Sequence, residues 1–441
     1  MPQVVEKVQP WKAILEQRPL EGPRWLQDVR GRAAGSFAST GFPTTRDEEW
    51  RFTSVAPIAN GEFQPAPAAA LTEADLEGYV FSNAGQRVVI VNGRFSPELS
   101  RVSGLPQGAR VGSLGAAVTE HPEAVQRYLG QLAGFTSNGF VALNTALASD
   151  GAYVYIPDGA ILEQPLQLLF VAVPGDGVPV VVNTRTLVVA GDRSQCRIVE
   201  TWVGPRGSVY FTNAVTEVSV GEGAVVDHYK VQEESVEAFH IATMQVHAVR
   251  AANFSSHSFS LGGRLVRNDA NAHLDGEGAE CTLNGLYLAD GERHVDNHTA
   301  IDHAKAHCPS HEIYKGILGG KARAVFNGKI LVRQDAQKTD AKQTNRALLL
   351  TDDASINTKP QLEIFADDVK CTHGAAIGQL DEDAIFYLRA RGLTFAEARD
   401  MLIHAFAGEI LDRVQVEPLR HALEAELYAQ LARDLAEIDA K

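Results

Sequence analysis

Near the C-terminal end of the sequence, Asp367-Asp368-Val369-Lys370-Cys371-Thr372-His373-Gly374 sets a thiol and an imidazole two residues apart. In an extended strand, residues i and i+2 project from the same face about 6–7 Å apart. Cys371 and His373 could then both reach one ion or one atom of a metal cluster. Lys370 is expected to favour the thiolate, and Gly374 to free the backbone for a turn. The same pattern equally suits a buried cysteine beside a hydrogen-bonded histidine, so spacing alone leaves both readings open.

A denser cluster runs from Arg293-His294-Val295-Asp296-Asn297-His298 through Asp302-His303, His307-Cys308 and His311. Imidazole and thiolate are ligands that zinc or iron accept. If the stretch is extended, His303, His307 and His311 share parity but lie too far apart to converge on one ion. They are expected to be hydrogen-bonded side chains on the surface or along inner faces. The motifs of the common catalysts are missing. Gly316-Ile317-Leu318-Gly319-Gly320-Lys321-Ala322 lacks the spacing of a phosphate loop and its magnesium-binding hydroxyl, so no ATP hydrolysis is expected of this chain. There is no GxSxG elbow, no HExxH helix and no GxGxxG fingerprint opening a helix.

These residues need a scaffold, and from about 85 to 380 the pattern is β. Short apolar runs such as Arg87–Val91, Leu187–Val189 and Ala324–Phe326 recur, and Phe326, Ile330 and Val332 alternate with Asn327, Lys329 and Arg333. Similar turns follow one another: 157–160, 191–194, 221–224, 275–279, 319–322 and 351–355. Several lie about 30 residues apart, the rhythm of strands stacked coil upon coil, with one clearly longer interval. We therefore expect a β-solenoid over 85–380. Residues 1–84 read as a largely helical N-terminal unit, with Trp11, Ile14 and Leu15 on one face and a helix start at Arg46–Trp50. Residues 381–441 read as a helical C-terminal unit. There Thr394 and Glu397 have capping-box spacing, and Ala398, Met401, Leu402, Ala405 and Phe406 form one stripe. Leu419, Leu423, Leu427 and Leu431 form a second. This unit is expected to seal the end of the stack, to dock a partner, or both.

Composition narrows the partners. Lys+Arg 40 against Asp+Glu 55 gives a net charge of -15, which repels phosphate backbones, so no nucleic acid is expected. No apolar run reaches the length of a membrane span and Met1 to Gln9 is polar, which predicts a cytoplasmic protein off the membrane. The widely separated Cys196, Cys281, Cys308 and Cys371 fit neither a disulfide framework nor a zinc ribbon. An alternative class is a β-helical polysaccharide lyase or hydrolase, which would draw its acid–base pair from the turn residues Asp192, Glu222, Asp275 and Asp352.

Read together, Asp335–Ala341, Gln343–Asn345, Leu348–Leu350, Thr358–Ile364 and Asp367–Ala375 resemble the hallmark stretch of the SufB/SufD family of iron–sulfur cluster assembly proteins. Pro43 to Thr53, and His298-Thr299 through Tyr314-Lys315-Gly316, extend the likeness over nearly the whole chain. Where SufB sequences carry Gln-Cys-Asp-Ser, this one reads Gln343-Thr344-Asn345-Arg346, closer to the SufD branch. The resemblance implies a right-handed parallel β-helix between two helical domains, and a non-catalytic scaffold rather than an enzyme. It implies pairing with SufB through the β-helix and with the SufC ATPase, which binds the ATP, through the C-terminal helices; isolated chains are left free to homodimerise. It implies no tightly bound cofactor but a transient Fe–S cluster at the SufB–SufD interface. His373 would be a transient iron or cluster contact there, with Cys371 second.

Overall fold

The computed structural model describes residues 11–17, 19, 21–80, 85–175 and 177–439, so the expectation for Met1 to Gln9 lies outside the described residues. Along the β-rich middle, consecutive strands alternate between two sheets. One stacks Gly151–Ile156, Val180–Ala190, Tyr210–Val220, Phe239–Ala248, Leu265–Leu274, His294–His303, Arg323–Val332 and Ser355–Ile364. The other stacks Leu166–Val171, Gln195–Val203, Val225–Glu233, Asn253–Ser260, Glu280–Ala289, Pro309–Leu318, Asp340–Leu349 and Lys370–Gly378. Neighbours in each stack are parallel. The protein is mainly β, a parallel β-solenoid with helices before and after it, as expected.

Strand alternation sends every second side chain inward, and coil-to-coil register turns those side chains into columns. Val188, Val218, Val246, Ala272, Ile301 and Ile330 form one column, all buried. The turns from the first sheet to the second are also stacked. In all but the last, one left-handed residue donates its N–H to a carbonyl of the next coil: Gly159 to Asp192, Arg193 to Glu222, Gly223 to Arg250, Ala251 to Glu277, Gly278 to Ala306, His307 to Gln337 and Lys338 to Asp368. The long interval in the turn rhythm is the turn at Val249–Ala252, where Ala251 adopts φ 53° without a glycine to announce it. The turns at 319–322 and 351–355 belong to the other corner, leading back to the first sheet.

The solenoid's two ends differ. At one end antiparallel strands close it: Gln86–Val91 folds onto Arg94–Phe95 through Asn92-Gly93, both at positive φ, and Arg110–Ser113 pairs with Gly151–Ile156. At the other end Ser355–Ile364 and Lys370–Gly378 are the last strands of their sheets, the first mostly half-buried and the second largely exposed.

The helices cover flanks, not ends. Trp11, Ile14 and Leu15 are buried together, as their spacing predicts. With Arg24–Thr40 and Gly139–Leu147 they pack on Val181, Phe211, Val215, Phe239, Ile241 and Leu265 of the first sheet. Within 85–380, short helices at Leu114–Glu120 and Pro122–Gln126 join this layer. The expected helix start at Arg46–Trp50 is only a 3₁₀ turn, Glu48–Trp50. Phe395–Leu411 and Glu417–Asp439 lie across the outer face of the second sheet, burying Leu419, Leu423, Leu427 and Leu431 against residues such as Tyr229, Phe259 and Leu286. They do not seal the stack, which corrects that expectation. The capping box at Thr394 and Glu397 is present, but the buried stripe is rotated to Ala398, Ile403, Ala407 and Ile410, leaving Met401 half-exposed.

Candidate functional site

Cys371 and His373 lie on the last strand of the second sheet and share its inward-facing parity, in register with Ala341 and Gln343 of the coil below. Because no further coil stacks on this one, an inward position here is open: His373 is exposed and Cys371 half-buried. Cys371 rests on a small apolar cluster that includes Ile330, Val332, Ala336 and Ala341. Burial, together with the nearby Asp340 charge, pushes its thiol above the usual range, opposite to the direction expected from Lys370. Gly374 makes no turn, since the strand continues to Gly378.

The column beneath His373 is polar. Gln343 pairs in register with both His373 and Glu312, and its Nε2 donates to Glu312 Oε2 at 2.8 Å. A Cβ on Gly328, across the interior, would come within 2.1 Å of that Nε2, so a glycine there makes room for the glutamine side chain. Glu312 is fully buried, and burial pushes its carboxyl up to about 7, the nearby Thr299 hydroxyl and the hydrogen bond from Gln343 offsetting only part of the effect. Thus a line of titratable and hydrogen-bonding groups, Glu312, Gln343 and His373, leads from the sealed interior to the open end. Sequence reading missed Glu312 and Gln343 as site residues. Their signal is the combination of strand parity with a one-coil spacing.

The histidine-rich stretch disperses as its parity suggests. His303 is enclosed, bonded to Ser310 Oγ at 3.0 Å, with burial lowering it to about 4. His307 occupies a left-handed turn, and His311 lies half-buried on the following strand. His294 and His298 face outward and meet the segment Pro43 to Thr53. Thr53 Oγ1 donates to Asp296 Oδ2 at 2.5 Å and lies 2.9 Å from His294 Nε2. Arg267 joins Asp296 at 2.8 Å and the Glu49 carbonyl at 2.7 Å, with its guanidinium 3.7 Å from the Trp50 ring centre. His298 bridges Asp296 and Glu49. Burial alone would lower His298, but the Asp296 charge and both hydrogen bonds outweigh it and raise the ring to about 9. Two of the distant recognisable stretches are therefore one structural clasp. Lys315 has a matching role on the other flank, where its Nζ donates to the Phe406 carbonyl at 2.8 Å and pairs with Glu409, tying down the helix Phe395–Leu411.

Cys196, Cys281 and Cys308 line the apolar interior, where burial raises all three thiols, Cys196 to about 12. The turn acids link neighbouring coils. Asp192 Oδ1 accepts the Glu222 N–H at 2.9 Å, Glu222 pairs with Arg250, and Asp352 accepts from Gln379 at 3.0 Å.

Residues 172–406 match the family described as SUF system FeS cluster assembly, SufBD core domain, and residues 19–168 match the SufBD protein N-terminal region. An iron–sulfur cluster assembly SufBD family protein of Synechocystis is 37% identical over 423 residues, 93% of each chain. The iron–sulfur cluster assembly protein SufD of Escherichia coli is 32% identical over 394 residues, 89% of this chain and 90% of its own, and SufD of Bacillus subtilis is 25% identical over 423 residues, 91% and 93%. With both halves of the chain matched and the solenoid and its two clasps in place, the chain belongs to the SufBD family of iron–sulfur cluster assembly proteins and is a homologue of SufD.

Proposed function

We infer that this chain is a non-catalytic partner subunit in cytoplasmic Fe–S cluster assembly. It pairs with a SufB-type scaffold through the open end of its solenoid and with a SufC-type ATPase through its C-terminal helices. The observation that carries this reading is the uncovered last coil, with His373 exposed on its edge strand above the polar column Glu312–Gln343. Unpaired strand edges are templates for another chain, and Ile364, Phe365 and Ile377 add exposed apolar surface to them. An imidazole there is a ligand that iron accepts. The growing cluster is cargo held transiently between subunits, with Cys371, whose raised thiol offers less of the thiolate that ligates metal, behind His373 in importance. For the ATPase, the exposed Phe386, Tyr387, Phe395 and Met401 offer a separate apolar face on the helices beyond the solenoid. An apolar group of this kind marks a docking surface.

The test is reconstitution with SufB and SufC. His373→Ala is expected to leave melting temperature and SufB pairing unchanged while sharply lowering the cluster recovered per complex, measured as iron and acid-labile sulfide. Unchanged cluster yield would remove His373 from the site. Phe386→Ala with Tyr387→Ala should weaken ATPase co-purification without affecting SufB pairing.

A further inference from the structure

Three and four coils back from the open end, on the outer face of the first sheet, two histidines meet across one pair of strands. His247 and His273 are directly in register, their ring centres 5.7 Å apart, and both are part-exposed. The chain then turns, and Asp275, whose N–H is held by the Ala248 carbonyl at 2.8 Å, brings its carboxylate back beside both rings. Its Oδ2 lies 3.3 Å from His247 Nε2 and its Oδ1 3.9 Å from His273 Nε2. One ligand atom from each of the three residues falls within 4.8 Å of the others.

The surroundings prepare one of these rings as a ligand. His273 Nδ1 lies 3.1 Å from Asp302 Oδ2, and Asp302 is itself gripped by Arg333 through two bonds, 2.9 Å from Nε to Oδ1 and 2.7 Å from Nη2 to Oδ2. A carboxylate that accepts a hydrogen bond from Nδ1–H fixes that tautomer and leaves the Nε2 lone pair free toward Asp275. Metal-binding histidines commonly carry such a partner. The Lys305 ammonium, 3.9 Å from Asp275 Oδ1, is a competitor for the same carboxylate.

We propose that His247, His273 and Asp275 form a surface site for a first-row divalent cation of the Fe(II) to Zn(II) group. Two imidazoles and one carboxylate facing solvent are the donor set such ions take with open positions left for water. The hard ions Mg(II) and Ca(II), which prefer all-oxygen ligands, are excluded. The site is independent of Cys371 and His373, which lie on the other sheet.

The test is titration of the full chain with Co(II), read by its visible absorption and by calorimetry, with Zn(II) displacement and a Mg(II) control. The chain is expected to take up one Co(II) that Zn(II) displaces and Mg(II) does not. His247→Ala with His273→Ala should abolish that uptake at an unchanged melting temperature, while Cys371→Ala with His373→Ala keeps it. Asp302→Asn, which touches no metal, should weaken binding by about 10–100-fold, and Lys305→Met should tighten it. Equal Co(II) affinity in the wild type and the double histidine variant, or no saturable uptake by the wild type, would overturn the proposal.

Discussion

A carboxyl enclosed in a solenoid, whose neighbours are a neutral threonine and a neutral glutamine and not a cation, is easier to bury protonated than charged, and Glu312 is such a group. Its folded value of about 7 lies above the ordinary 4.5, so the folded state holds the proton more tightly than the unfolded chain does. Stability from this group is complete below about pH 4.5 and declines as pH rises toward 7. Glu312→Gln should remove that decline. The variant should gain on the wild type between pH 4.5 and 8 by up to on the order of 3 kcal/mol, measured by denaturant unfolding at both pH values. A difference independent of pH would mean that Glu312 is charged in the interior. Residue by residue, strand parity was enough to put Cys371 and His373 on one face. It could not reveal that this face is the inside of the last coil, nor that burial outweighs Lys370 at the thiol. Glu312 and Gln343 escaped notice because a side chain's neighbours in a solenoid are one coil away in sequence.

At the scale of elements, the turn column and the N-terminal clasp are separately testable. Ala251 holds φ 53° where the other turns of the column have glycine or Arg193, His307 and Lys338. Replacing it with glycine removes the left-handed penalty, less glycine's own entropy, and should raise stability by about 0.5–1 kcal/mol. An unchanged or lower unfolding midpoint would count against strain at that corner. In the clasp, Asp296→Ala takes one of two carboxylates from the buried Arg267, which keeps Asp269 at 2.9 Å, and should cost about 1.5–3 kcal/mol. His298, raised to about 9, adds stability that is complete below about pH 6.5 and is lost as pH rises through 9. That alkaline loss should shrink in Asp296→Ala, because Asp296 supplies the charge that raises the ring. The strands and the leucine helix at 417–439 could be read from periodicity. The stripe of Phe395–Leu411 was rotated because that helix is apolar around much of its circumference, so its period does not specify a face, and the flat sheet it meets selects Ile403, Ala407 and Ile410.

For the whole molecule, the decisive feature is asymmetry. Antiparallel strands close one end of the solenoid, helices cover a flank of each sheet, and on the two strands at the far end no further coil is stacked. The repeat in the turns made the solenoid legible, yet no local pattern could say which surfaces the helices cover, since both outer faces and both ends offer apolar residues. With the flanks occupied, the open end carries the central claim, that this is where the partner subunit pairs. Hydrogen–deuterium exchange of the full chain, alone and with a SufB-type partner, tests it most directly. The account predicts that new protection concentrates in 355–364 and 370–378, with the clasp at 43–53 and the sheet flanks unchanged. Protection on a flank, with 370–378 exchanging as fast as in the free chain, would contradict it.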